Sequence, residues 1–451
     1  MSCFRNTAHR ALSLTAIGLA LQGCSAPEDV AAVTDVAAAV DDVIGSLVRV
    51  SWQQATEGPA KVQYLVDDTW QETPEQQRES GDQEQLLLGI PYDYTVTVRV
   101  VVDGSTSQDV TVSTDARPED IPAFELLTSD PDNYDPDRPW MLFSVNEPAT
   151  SYGGPWWTVI TDRQARVVWA LKTPTWASTL YARPARDGQS ILIDYNSFWT
   201  LFDKAETSQV ARFGIDGVEH AITDTPGMGH AFTDMPDGSL TYPIGGENEG
   251  LIALDDAGAQ HMLWSCADFM ASNGLNEGCG ANSVDWFEAT DTFLLSSFSC
   301  ETVFEIDRST GELIRWFGHL PGSWTFDPPE SIPWWQHGAL YTDAGTILLS
   351  TKKAEDVEET VVREFEVDAE EETLREIWSF GEGEGLYGET LGEAHRFPNG
   401  NTLQNLGSYA RMREVTPEGQ VVWDVEITGP NQFLGRTTPL ESLYDFIPDG
   451  D

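Results

Sequence analysis

A unit that recurs about every 50 residues from residue 139 onward constrains this chain more than any other feature. In it a strand-like run reaches an Asp or Thr, a turn follows, and a second strand ends in Trp. TDRQARVVW ends at Trp169, LDDAGAQHMLW at Trp264, IDRSTGELIRW at Trp316, VDAEEETLREIW at Trp378 and VTPEGQVVW at Trp423. FGIDGVEHAI, around Gly217, fills the vacant place without a Trp. A second marker precedes these runs: ARDGQSILI at Gly188, MPDGSL at Gly238, TDAGTILL at Gly345 and FPNGNTL at Gly400. Four short strands per unit at this spacing predict an all-β fold, a six-bladed β-propeller over 139–446. The expected blades are 139–175, 176–226, 227–277, 278–333, 334–390 and 391–446. Each buries its apolar faces only against its neighbours, so the repeats form one domain.

Upstream, residues 46–115 alternate in the β manner. Val48, Val50 and Trp52 share one face, and Lys61 to Val66, Gln85 to Ile90 and Tyr94 to Val102 give further strands. Tyr92-Asp93-Tyr94 stands just before a strand, as in the tyrosine corner of sandwich domains. This predicts a small fibronectin-III-like β-sandwich. Residues 116–138 read as an acidic, Pro-rich linker. Asp130, Asp132, Asp135 and Asp137 offer oxygen ligands there, but the Pro residues and a missing Gly break the EF-hand pattern, and no metal site is assigned. Residues 24–45, rich in Ala, Val and Asp, read as a tether.

The N-terminus reads as a targeting segment. Arg5 and Arg10 precede an apolar stretch, Ala11 to Leu21, that is too short to span a bilayer. Leu21-Gln22-Gly23-Cys24 resembles a bacterial lipoprotein signal, which implies loss of residues 1–23 and lipidation of Cys24. The expected location is the bacterial cell envelope, on the periplasmic side or at the outer-membrane surface, with the lipid as the only membrane contact. In an oxidising compartment Cys266 and Cys279, which share one Gly/Asn-containing loop, are the expected disulfide, leaving Cys300 as an odd thiol. The 74 Asp+Glu against 25 Lys+Arg, a net charge of −49, argue against a nucleic-acid or anionic-lipid partner, both of which need a basic footprint.

Familiar chemical signatures are absent: no GxxxxGK[ST], no GxGxxG after a strand, no HExxH. GEGEGLYG at 381–388 reads as a surface loop, and no cofactor is expected. In a propeller, ligands bind where the innermost strands converge, and these strands begin each blade. His230 and His337 each stand eight residues before a turn glycine, Gly238 and Gly345. Equal offsets imply equivalent places in two blades, with both side chains toward one axis. A neutral imidazole there can act as base, metal ligand or nucleophile. Trp334 and Trp335 stand beside His337 to pack an aromatic substrate. His395 is five residues before Gly400 and is not equivalent. His220, His261 and His319 fall in outer strands or loops and read as structural.

The runs NSVDWFEATDTFLLSS, ETVFEIDRSTGELIRWFG, QHGALYTDAGTILL and EAHRFPNGNTL…REVTPEGQVVW resemble the bacterial arylsulfotransferase (aryl-sulfate sulfotransferase) family across 139–446. That resemblance implies an N-terminal sandwich, a six-bladed propeller and nucleotide-independent sulfuryl transfer from an aryl sulfate to a phenol. By motif, His337 would be the nucleophile and His230 would stabilise charge on the transferring group. Asn282, Trp335 and His395 complete the expected substrate contacts. The chain departs from the family pattern twice. Gly280 stands where the family has His in H-x-N-S, and Phe298 stands where it has Arg after Ser-Ser. Arg411, Arg413 and Arg436 are candidates to supply the missing charge. Two functions therefore follow: a sulfuryl-transfer enzyme, or a propeller that has lost the chemistry and binds a ligand or protein at the envelope.

Overall fold

Short β-branched and aromatic runs, cut by glycine turns, leave little sequence for helices. A computed structural model describes residues 32–447 apart from 149, 246–248 and 256. The signal segment and Cys24 lie outside the described residues. The chain is all-β, and its one α-helix among the described residues is Cys266–Ser272. No helix there is long and apolar enough to cross a membrane.

Six antiparallel sheets follow one another in a propeller-like succession. The second is Ala182–Pro184, Ile191–Tyr195, Gln209–Phe213 and Glu219–Asp224. The third is Thr233–Asp234, Leu240–Ile244, Gly250–Leu254 and Gln260–Ser265. Ala281–Phe287, Thr292–Ser297, Thr302–Asp307 and Leu313–Gly318 form the fourth. In the fifth, Trp334–Tyr341, Ile347–Ala354, Val357–Asp368 and Thr373–Phe380 gain Thr325–Asp327 as a parallel edge. The sixth is Glu393–Arg396, Thr402–Asn405, Arg411–Val415 and Val421–Thr428. The first has three strands of its own, Trp140–Asn146, Trp156–Thr161 and Val167–Lys172. Its fourth is Leu434–Leu440, the last strand among the described residues, paired Trp140↔Leu440 through Val145↔Leu434. The last repeat thus gives up its final strand to the first sheet, which closes the succession. In the hairpins after the leading strands of the second, third, fifth and sixth sheets, Gly188, Gly238, Gly345 and Gly400 have φ of 72°, 83°, 79° and 93°, a region costly for a side chain.

The recurring Trp has a physical explanation. Trp169 Nε1 donates to Ile215 O at 2.7 Å, Trp378 Nε1 to Pro417 O at 2.9 Å and Trp423 Nε1 to Arg163 O at 2.8 Å. All three acceptors occupy the same place in the outer hairpin of the next sheet, one residue after the turn-opening amides of Gly214, Thr416 and Asp162. Fifth is thereby tied to sixth, sixth to first and first to second. Trp264 instead packs against Phe304 of the fourth sheet, with ring centroids 4.8 Å apart and planes tilted by 42°, and the buried Nε1 of Trp316 has no partner.

Before these sheets lies a unit of two more. One is Val33–Val40, Val48–Gln54 and Gly81–Leu87; the other is built on Gly58–Val66 and Thr95–Val102. Val48, Val50, Trp52, Val62, Val96 and Val98 form their shared core. The Tyr94 hydroxyl accepts the Asp67 amide at 2.8 Å, bracing the tight turn at Asp67–Asp68. The unit docks on the first sheet through Ser46 Oγ to Val168 O at 2.7 Å and the pair Arg166–Asp67 at 2.6 Å.

Two expected boundaries are corrected. Residues 33–40, expected within the 24–45 tether, form a strand paired Val33↔Gln54 through Val40↔Val48, because Val33, Val36 and Ala38 pack on that core. Within the expected 116–138 linker, Ala123–Ser129 pairs with Val421–Thr428 as the outer strand of the sixth sheet. Its alternation turns Phe124 and Leu126 onto the buried cluster between the first and sixth sheets. Asp130 and Asp135 accept hydrogen bonds within these turns, and no convergent set of the four aspartates forms among the described residues. Cys266 and Cys279 are bonded to each other, and Cys300 is a buried free thiol.

Arg163 of the first sheet faces Glu414 of the sixth at 2.7 Å, both fully enclosed, as a close ion contact rather than an aligned hydrogen bond. Glu414 also accepts the Asp135 amide and Asn401 Nδ2, each at 2.6 Å. Removing it strands a buried guanidinium and two donors. Glu414→Ala is expected to cost about 3–5 kcal/mol, measured as a lowered urea midpoint for loss of tryptophan fluorescence.

Candidate active site

Where the innermost strands begin, a cavity of about 280 Å³ opens among the six sheets. His337 enters it from Trp334–Tyr341 of the fifth sheet and Asn282 from Ala281–Phe287 of the fourth. His230 enters from the segment leading into Thr233–Asp234 of the third, and Arg436 from the closing strand Leu434–Leu440 of the first. The two imidazoles predicted from equal offsets therefore line one cavity, although His230 stands just ahead of its strand.

Local backbone geometry sets the state of His337. Trp335 has φ of 49°, and the strand pairing slips between Trp334 and His337. This left-handed turn is strained for a bulky residue, at about 1–3 kcal/mol. It brings the Trp335 carbonyl to 3.1 Å from His337 Nδ1. A carbonyl only accepts, so Nδ1 carries the proton and Nε2 keeps its lone pair. The Trp335 side chain is left 46% exposed at the cavity mouth.

Both imidazoles are held neutral. Burial pushes His230 down to about 4, and the positive charge of Arg436 adds to it. His337 is also pushed down to about 4, first by burial. Its bond to Trp335 pulls upward, while Arg436 and His230 push further down. Arg436 is itself enclosed at the cavity floor. Its Nη2 donates to Asn282 O at 2.8 Å and its Nη1 lies 3.8 Å from Glu393 Oε2. Asn282 Nδ2 donates to Gln336 O at 2.8 Å, whereas its buried Oδ1 has no partner.

His395 does not reach the cavity, contrary to its expected substrate contact. Strand alternation puts it on the same side as Glu393, and its Nε2 stands 3.4 Å from Glu393 Oε1. Burial raises the Glu393 carboxyl, but His395, Arg436 and the Thr437 amide outweigh it and the net shift is downward. Arg411 and Arg413 are likewise elsewhere, on Asp424 and on Gln404 with Glu384. Of the three arginines, only Arg436 reaches the site. His261 pairs with exposed Asp255, and His319 packs 4.1 Å from Trp334 with Nε2 3.0 Å from Pro333 O.

The two departures from the family pattern lie side by side. A Cβ at Gly280 would stand 2.0 Å from Ser299 Oγ and 3.2 Å from the Phe298 ring, so a histidine does not fit there without rebuilding the turn. Phe298 lines the cavity.

Loops supply the rest of the wall. Tyr152 comes from the first hairpin loop of the first sheet, and Phe198 and Trp199 from the loop after Ile191–Tyr195. Trp199 lies 6.1 Å from His230, and Tyr152 5.5 Å from Trp199. Glu389, Thr390 and Leu391 approach from the lead-in to the sixth sheet. The one signal for these residues was the aromatic run SFWTLF at 197–202, whose Phe198, Leu201 and Phe202 remain exposed. Among the described residues, the one close group of potential metal ligands is Glu249, Cys266 and Cys279, and there both sulfurs are bonded to each other.

No family model and no curated protein matches the chain. Among solved structures, it is similar to a protein of unknown function from Bacteroides caccae at 15% identity and TM-score 0.46, over 67% of this chain and 100% of that one. A putative 6-phosphogluconolactonase from Bacteroides uniformis aligns at 12% identity and TM-score 0.42, over 85% and 99%. Virginiamycin B lyase from Staphylococcus aureus aligns at 12% identity and TM-score 0.36, over 67% and 88%.

Depressed imidazole pKa values set the acid limb. As pH falls from about 6.5 to about 4, the unfolded chain takes up protons that His230 and His337 refuse when folded, so stability declines over that window and is unaffected above it. In NMR, the C2–H resonances of both rings are expected to titrate near 4, and Arg436→Gln is expected to raise both midpoints.

Proposed function

We propose that this is an envelope lipoprotein of the arylsulfotransferase type. In this reading the six sheets are blades of one propeller, the N-terminal unit is a fibronectin-III-like sandwich, and Cys24 carries the lipid. The observation that carries the activity is the His337 ring: Nδ1 fixed on the Trp335 carbonyl, Nε2 unprotonated and the ring lining an aromatic-walled cavity. Neutral imidazole at ordinary pH is the nucleophilic form.

The reaction follows from that state. His337 Nε2 attacks the sulfur of an aryl sulfate; the N–S bond forms as the ester S–O bond breaks, and the phenolate leaves with the electron pair. The positive charge that develops on the ring is met at Nδ1–H by the Trp335 carbonyl. His230 hydrogen-bonds the departing oxygen. A phenol then gives its proton to His230 as its oxygen attacks sulfur, and the N–S electrons return to Nε2. The proton passes through solvent to the released phenolate. Arg436 offsets the negative charge on the sulfuryl oxygens, as in the closely related phosphoryl transfers.

Phe298 and Gly280 favour a second reading, a binding module. With one cation instead of the family's larger set, the loss of each oxyanion-type donor costs about 10²–10³ in rate. The test is release of phenolate from 4-nitrophenyl sulfate with phenol as acceptor, at low and high salt. The expected result is turnover that is absent in His337→Ala and about 10²–10³ slower in Arg436→Leu, with one SO₃ on the His337 peptide when acceptor is omitted. Neither release nor label at high protein concentration would leave the binding module.

A further inference from the structure

The cavity is polarised along its length. Its floor carries Arg436, enclosed and held by Asn282 O and Glu393. Its mouth carries Glu389, which is exposed and has no hydrogen-bond or ion-pair partner among the described residues. Between them stand Tyr152, Trp199, Trp335 and Phe298. Among the described residues no cation lies within ion-pair distance of Glu389. Lys352 lines the adjoining crevice together with Glu389, but its Nζ donates to Glu355 O at 2.6 Å and lies 5.9 Å from the Tyr387 ring. Thr390, next in the chain, is bonded to the Tyr152 hydroxyl, which anchors the segment bearing Glu389 against the aromatic wall. The Glu389 charge is felt there, since it helps burial raise the Tyr152 hydroxyl. A lone carboxylate beside aromatic faces is the arrangement that favours an organic ammonium, by ion pairing and by cation–π attraction.

We propose that this cavity selects aryl ligands carrying an oxyanion at one end and a protonated amine at the other, with Arg436 taking the oxyanion, the aromatic wall the ring and Glu389 the ammonium. The substrate class is thus an aryl sulfate with a short aminoalkyl tail, and the matching acceptor a phenol bearing the same tail. The ligand class rests on the aryl-site reading above, while its charge selection stands on the cavity itself. The global charge of −49 also draws cations, but without geometric preference and under salt screening.

Binding probes that cannot transfer a sulfuryl group separate the two questions. Three benzenesulfonates that share a two-carbon para stem and differ in what terminates it serve: 4-(2-aminoethyl), 4-ethyl and 4-(2-carboxyethyl). Calorimetry at 150 mM salt with the purified protein is expected to show the aminoethyl probe binding at least tenfold tighter than the ethyl probe, and the carboxyethyl probe weakest. Glu389→Gln is expected to bring the aminoethyl affinity within about twofold of the ethyl one. Glu79→Gln, which removes the same charge from the exposed edge of the N-terminal unit, is expected to keep the preference. Retained ethyl-probe binding checks the fold of the Glu389 variant. Equal wild-type affinities, a preference that survives Glu389→Gln, or no binding of any probe overturns the proposal. Failure of 4-nitrophenyl sulfate turnover alone overturns only the transfer chemistry.

Discussion

The architecture depends on an indole crossing from one sheet to the outer hairpin of the next. Burying such a ring matters more for stability than its hydrogen bond: truncating a buried Trp costs about 3–5 kcal/mol, against a net of about 1 kcal/mol for one N–H···O=C bond. The bond contributes direction. Because the acceptors Arg163, Ile215 and Pro417 occupy the same turn position, each indole fixes how far its neighbour rotates and slides. Where the indole makes a tilted ring contact instead, as at Trp264, the neighbouring face supplies aromatic surface in place of a carbonyl.

That angular control matters because the site has no single owner. Its polar groups come from the first and the third to sixth sheets and its aromatic wall from the first, second, fourth and fifth, so a rotation of one sheet would separate His230 from His337. Two lining residues of the cavity, Trp335 and Leu391, hold left-handed φ of 49° and 69°. Beyond Trp335, Gly338 passes so close to Glu393 that a Cβ would stand 2.5 Å from that side chain, which locks the fifth leading strand onto the sixth. Below the cavity, buried Asp234 and Glu393 and half-buried Arg183 and Asp285 form a charged layer. Burial raises Asp285, while Glu393 is lowered because His395 and Arg436 face it.

Much of this was legible in the sequence where a residue's role is periodic. The Trp-terminated runs marked outer strands, the turn glycines marked the hairpins that follow the leading strands, and equal offsets to those glycines brought out His230 and His337. What was not legible depends on pairing between distant segments. Val33–Val40 and Ala123–Ser129 have composition typical of tethers and linkers, and only a partner strand makes them β. His395 has strand periodicity in common with the site histidines but lies on the Glu393 side of its strand, outside the cavity. Arg436 was one of three equivalent arginines by sequence, and its place follows from Leu434–Leu440 crossing to the first sheet. Tyr152, Trp199 and Glu389 sit in loops, where no period exists.

The crossing strand has a consequence for the order of biosynthesis. Leu434–Leu440 leaves the ribosome after every other strand of the six sheets, and it brings Arg436 with it. Until it docks, the first sheet has an unpaired inner edge and the cavity floor has no guanidinium. Loss of Leu434–Leu440 therefore removes the pairing of the first sheet's inner edge and the site charge together, so one docking event both completes that sheet and arms the pocket.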